Sequence, residues 1–148
     1  MNPKLKHCLQ PFYQPAWPSA ALLLLRLIVG AAFVIHGWGK IQTPMSWMPA
    51  QAPVHVPGFF QLLAAVSEFG GGIALILGLL TPLAMFGLIS TMAVAVYMQI
   101  AVFKAPFISS TGGSSYEPAL GYLGIALLFL AIGPGKFSLD RLLFGERR

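Results

Sequence analysis

Four stretches of this chain, residues 20–41, 59–80, 83–103 and 118–132, are apolar on every face. The first three hold about 21 to 23 residues each, close to the roughly 20 needed to cross a hydrocarbon core of about 30 Å at 1.5 Å rise per residue. The fourth reaches a spanning length when Glu117 begins it and Gly133 ends it. The pattern predicts an all-α integral membrane four-helix bundle, with spans at about 20–41, 59–80, 83–103 and 117–133, an N-terminal tail over 1–19 and a C-terminal tail over 134–148. A soluble bundle would need a polar outer face, which these stretches lack. A β-barrel would alternate apolar with polar positions, and these do not.

Composition agrees. Of 148 residues, 57% are hydrophobic and 9% charged, far from the balance of a soluble domain. The first stretch is too long for the apolar region of a signal peptide, carries Arg26 and lacks a small-residue cleavage pattern, so it is expected to stay in the membrane. Lys4 and Lys6 precede the first span, and Lys136, Arg141, Arg147 and Arg148 follow the fourth, whereas the other side receives only Lys40 and Lys104. The positive-inside rule then places both termini in the cytoplasm. The net charge of +5 reflects that topology and gives no reason to expect nucleic-acid binding. Cys8, the single cysteine, has no internal partner for a disulfide, and no His, Cys, Asp or Glu spacing suggests a metal site.

Two connections face the opposite side. Residues 42–58 contain Pro44, Pro49, Pro53 and Pro57, which forbid a continuous helix and suggest a semi-rigid cap holding Trp47 and His55. Residues 104–115 end in a Ser/Gly-rich run suited to a flexible linker. Thr81 and Pro82 make a tight turn, so the second and third helices are expected as antiparallel neighbours. Residues 137–144 read as a short amphipathic segment at the membrane interface.

The candidate chemistry lies in the few polar groups at membrane depth, which must be paired, hydrogen-bonded or neutralised because hydrocarbon offers them no solvation. At about 100° per residue, Arg26, Gly37 and Lys40 share a narrow sector of the first helix, with His36 about 80° away from Arg26. Gln61, Glu68, Gly71 and Gly72 share a face of the second. Glu68 is about 14 Å and His36 about 8 to 10 Å below the loop side, so the two meet as a proton-relaying pair if the polar stripes face each other; the alternative is that such groups only fix helix register through interhelical hydrogen bonds. Lys40, Gln61, Tyr116 and Glu117 would surround them in a cavity suited to a quinone head group. Arg26 and Asp140, near the other side, are expected to form a structural ion pair.

These residues resemble the DoxX family of small bacterial membrane proteins. The likeness rests on Arg26, on His36-Gly37 with Lys40, and on Glu68 followed by Gly70-Gly71-Gly72. It continues through Gly78-Leu79-Leu80-Thr81-Pro82 and through Gly133-Pro134-Gly135 followed by Ser138-Leu139-Asp140. The proline after Tyr116-Glu117 departs from the family pattern and puts the start of the fourth helix in question. The resemblance implies a multi-pass protein of the bacterial inner membrane. It points to redox metabolism, since relatives include a subunit of an enzyme that passes thiosulfate electrons to quinone. The expected role is an accessory or anchor subunit of a redox system that binds a quinone and has no turnover as an isolated chain. Its expected partners are the lipid bilayer and other membrane or redox-complex subunits, with a two-fold homo-oligomer as the default symmetry. A non-enzymatic membrane scaffold or assembly factor and a small-solute transporter stand as alternatives.

Overall fold

Proline stands at the entry of each long helix, where its missing N–H costs nothing and its fixed φ suits the first turn. Pro15 precedes α1 (Ala16–Gln42) and Pro57 precedes α2 (Gly58–Leu77). Pro82 and Pro118 lie in the first turns of α3 (Thr81–Tyr97) and α4 (Glu117–Ile132). The proline after Tyr116-Glu117 therefore starts α4 in an ordinary way. The computed structural model of the protein describes residue 4 and residues 9–146; Lys6, Cys8, Arg147 and Arg148 lie outside the described residues. A short α5 (Leu139–Phe144) completes the series, and among the described residues no strand forms.

The observed helix ends refine the expected ones. α1 begins inside the stretch expected to be tail and runs 27 residues, about 40 Å of helix. α2 stops at Leu77 because Gly78 takes a left-handed conformation at φ 61°. The Gly78 N–H donates to the Leu75 carbonyl and the Leu79 N–H to that of Ala74, the paired bonds of a Schellman ending. α3 continues into a π-helical turn over Met98–Val102, giving 22 residues of spanning length. α4, at 16 residues, is shorter than the other three.

The helices pack in chain order, α1 on α2, α2 on α3 and α3 on α4. Closure between α1 and α4 comes from aromatic side chains: Phe33 lies 5.0 Å and His36 6.3 Å from Tyr122, ring centre to ring centre. The core between them joins Leu22, Val29 and Phe33 of α1, Leu75 of α2, Met85, Leu88 and Met92 of α3, and Ala126 and Phe129 of α4. Outward faces carry Leu24, Ile28, Ile35, Phe59, Leu63, Leu83, Phe86, Val94, Leu127 and Leu130, all exposed. In water such a surface would be unstable, whereas lipid covers it without cost.

Glycine permits the closest contact. A Cβ at Gly37 would meet the Phe69 backbone nitrogen at 2.5 Å, and one at Gly72 would meet the Gly30 carbonyl oxygen at 2.9 Å. α1 and α2 thus touch backbone to backbone at two levels, the small-residue packing that replaces the hydrophobic drive within a bilayer. Gly124 on α4 is different, with nothing within 4 Å of the corresponding position. Gly37→Ala is expected to destabilise the protein by about 1–3 kcal/mol in a detergent denaturation titration, through overpacking against backbone that cannot swing aside. Gly124→Ala in the same titration is expected to leave the midpoint unchanged or slightly raised.

Candidate functional site

Gly37 brings α1 against α2 at the level of Phe69, and Lys40, almost one turn later on α1, reaches the carboxylate of Glu68. The Lys40 ammonium donates to both Glu68 oxygens, at 2.6 and 2.7 Å. Glu68 is 3% exposed, so this contact replaces nearly all of its solvation. Lys40 keeps 26% of its side chain exposed, and its Nζ lies 4.6 Å from the ring centre of Trp47. A lysine over an aromatic face gains further stabilisation from the ring's negative quadrupole.

Gln61 holds this roof in place. Its Nε2 donates to the Val56 carbonyl at 2.8 Å and its Oε1 accepts the Met48 N–H at 2.9 Å. Trp47 Nε1 donates to the Gln61 backbone carbonyl at 2.9 Å. One buried amide at the start of α2 thus pins both limbs of the proline-rich connection and sets Trp47 above the ion pair. The sequence singles out Gln61 and Lys40, but as parts of a cavity. It offers no signal for the Trp47 seat, which depends on how the 43–57 connection folds back.

His36 does not join Glu68. Adjacent residues on a helix diverge by about 100°, and Gly37 is the one pressed against α2, which turns His36 toward Tyr122 of α4. His36 is exposed on that flank. The expected proton-relaying pair is therefore corrected to a Lys40–Glu68 ion pair, with His36 on the α1–α4 side. Tyr116 caps the start of α4 and stacks on Phe107 at 5.3 Å between ring centres. Glu117 is exposed in the first turn, and its N–H donates to the Phe107 carbonyl at 3.2 Å. The residues expected around a quinone have contacts of other kinds: Lys40 and Glu68 satisfy each other, the Gln61 amide is used by the connection above them, and His36, Tyr116 and Glu117 face other neighbours.

Arg26 and Asp140 are also corrected. Both are buried at the end of the bundle nearer the termini, and among the described residues no ion pair joins them. Arg26 Nε donates to the Leu75 carbonyl at 2.8 Å and Nη2 to that of Ile76 at 2.7 Å. Its Nη1 donates to the carbonyls of Pro134 at 2.9 Å and Phe137 at 2.8 Å. The guanidinium thereby neutralises the carboxyl end of α2, where unpaired carbonyls concentrate negative charge. Asp140 serves the opposite pole: its oxygens accept the N–H groups of Leu80 at 2.6 Å and Thr81 at 2.8 Å, at the start of α3. Its own N–H donates to the Gly78 carbonyl at 2.8 Å. Asp140 thus clamps a turn in which Leu80 is held left-handed at φ 48°, a conformation that costs a side-chain-bearing residue about 1–2 kcal/mol.

Comparisons with known proteins agree on kinship. The DoxX family model matches residues 21–101, which include Arg26, His36, Lys40, Glu68 and the α2–α3 turn. The chain is 32% identical over 126 residues to "Inner membrane protein YqjF" of Escherichia coli, covering 84% of this chain and 93% of that one. It is 36% identical over 126 residues to an uncharacterized protein of Haemophilus influenzae, covering 83% and 90% respectively. No solved structure matches the chain.

The exposure difference within the ion pair predicts unequal effects of breaking it. Lys40→Met leaves a carboxylate buried without a partner and is expected to cost about 3–5 kcal/mol. Glu68→Gln leaves a lysine that already reaches solvent, and is expected to cost distinctly less. Combining the two should recover much of the loss. Denaturation titrations of the three variants check this; equal single effects or strict additivity would contradict it.

Proposed function

The chain belongs to the DoxX family and is a multi-pass inner-membrane protein, and from that premise we propose that it is an accessory anchor subunit of a membrane redox system, without turnover of its own. The observation that carries the non-catalytic part is the use made of the buried charges. Arg26 is spent on four backbone carbonyls, Asp140 on the first N–H groups of α3, and Glu68 on Lys40. A group that relays protons or contacts a substrate must be free to change partners, and these three hold helix ends and a helix crossing together. The redox association is supported by the family resemblance, in which relatives include a subunit of an enzyme that delivers electrons to quinone. The excess of basic residues near both termini supports a cytoplasmic side for them in this reading.

A quinone contact is the second reading, and the observation favouring it is His36. This imidazole is exposed beside Tyr122 where α1 meets α4, so a head group can approach it from the lipid side. Both side chains carry polar atoms suited to a quinone carbonyl. When bound, a quinone would supply the electron-accepting chemistry that none of the side chains provides.

Purification of the tagged chain in mild detergent at native expression, with mass spectrometry of proteins and quinones together, separates these readings. The anchor reading expects a redox subunit to be retained in fixed proportion and the isolated chain to reduce no quinone. Recovery of the chain alone, or quinone turnover by it, would overturn that reading. The quinone contact expects photolabelling by a quinone analogue to fall severalfold in His36→Ala and to remain in Glu68→Gln; equal labelling of His36→Ala and the parent chain would remove the site.

A further inference from the structure

Beyond α4 the chain opens a cleft of about 500 Å³, lined by Lys136, Phe137, Ser138, Arg141, Leu142 and Glu146 among others. We propose that this cleft binds the phosphate of an anionic phospholipid from the leaflet on the side of the termini, independently of the anchor reading.

The cleft has a fixed orientation. Asp140, inside α5, bonds the α2–α3 turn through its N–H and both carboxylate oxygens, so α5 lies at the level where α2 ends and α3 begins. That is the level of the lipid headgroups if these helices span the hydrocarbon. Ser138 adds local order, accepting the Arg141 N–H at 3.3 Å and donating to the Gly135 carbonyl at 2.8 Å. With Asp140 turned inward and buried, the neighbouring positions Arg141 and Leu142 face away from the bundle.

The lining combines two chemistries that only an amphiphile matches. Among the described residues the Lys136 ammonium has no carboxylate partner. Arg141 is held by Glu146, with Nε 2.7 Å from Oε2, and by a long Nη1 contact of 3.4 Å to the Lys136 carbonyl. Its other N–H groups have no partner among the described residues and suit phosphate oxygens. Beside these cations Leu142 is 78% exposed, Leu143 60% and Phe137 46%, an apolar rim that acyl chains would cover. A soluble anion would satisfy the cations and leave the rim in water. Glu146 lines the cleft and already pairs with Arg141, so binding of a phosphate there exchanges one anion for another.

The test uses the full purified chain in mild detergent, with thermal shift and native mass spectrometry against phosphatidylglycerol, phosphatidylcholine and inorganic phosphate. Phosphatidylglycerol is expected to be retained and to raise the melting temperature more than phosphatidylcholine, and inorganic phosphate at the same concentration to do neither. Lys136→Gln removes one cation and is expected to weaken phosphatidylglycerol retention about fivefold. Glu146→Gln removes the competing anion and is expected to strengthen it. Both side chains lie at the surface of the cleft, and circular dichroism verifies that the variants remain helical. Equal retention of the two lipids, or an unchanged Lys136→Gln, would overturn the proposal. Stabilisation by inorganic phosphate equal to that by phosphatidylglycerol would end the lipid assignment.

Discussion

A guanidinium that is 1% exposed among apolar helices is tolerable only where its N–H groups find acceptors, and Arg26 finds four, all of them backbone carbonyls. Two belong to the last turn of α2 and two to the segment after α4, so one side chain of α1 joins three parts of the chain distant in sequence. The attraction has a further source in the helix itself: the carboxyl end of α2 exposes carbonyls that have no intrahelical partner. Asp140 does the complementary work at the amino end of α3. The tight α2–α3 turn sets a negative helix end beside a positive one, and a cation and an anion from elsewhere in the chain each take one. The arrangement explains why the two charges need not touch.

The other end of the bundle is held by a different device. Backbone contact at Gly37 brings α1 onto α2 beside Phe69, and the carboxylate of Glu68 meets a lysine arriving from α1. Trp47 and the Gln61 amide then close the proline-rich connection over it. Polar clusters thus lie at both ends, with an apolar core between them. This division accounts for the reading of the chain as an anchor: the costly groups maintain shape, and the surfaces left for interaction are the lipid-facing helices, the His36 flank and the basic cleft beside α5.

Much of this was legible in the residues. Length and uniform hydrophobicity mark the spans, prolines mark the helix entries, and Gly78 followed by Thr81-Pro82 marks the hairpin between α2 and α3. The same marks place Arg26 and Asp140 together at one end and Glu68 near Lys40 and His36 at the other. What failed was the choice of partner. Periodicity assigns His36 and Lys40 to a common side of α1 but does not say which of them faces α2. In the structure that is decided by Gly37, because the absence of a side chain there lets the two backbones meet and fixes the rotation of α1.

Sequence alone therefore determined the all-helical membrane class, the apolar character of three helices of spanning length and a shorter fourth, and the identity of the groups that lipid cannot solvate, since these follow from hydrophobicity, which is local. Tertiary structure alone decided that Glu68 pairs with Lys40, that Arg26 and Asp140 serve opposite helix ends rather than each other, and that Trp47 closes the cluster. Those outcomes turn on helix rotation and on the return path of connections. Both are set by packing between segments far apart in the chain, where differences of an ångström choose among partners that the residue pattern leaves equal.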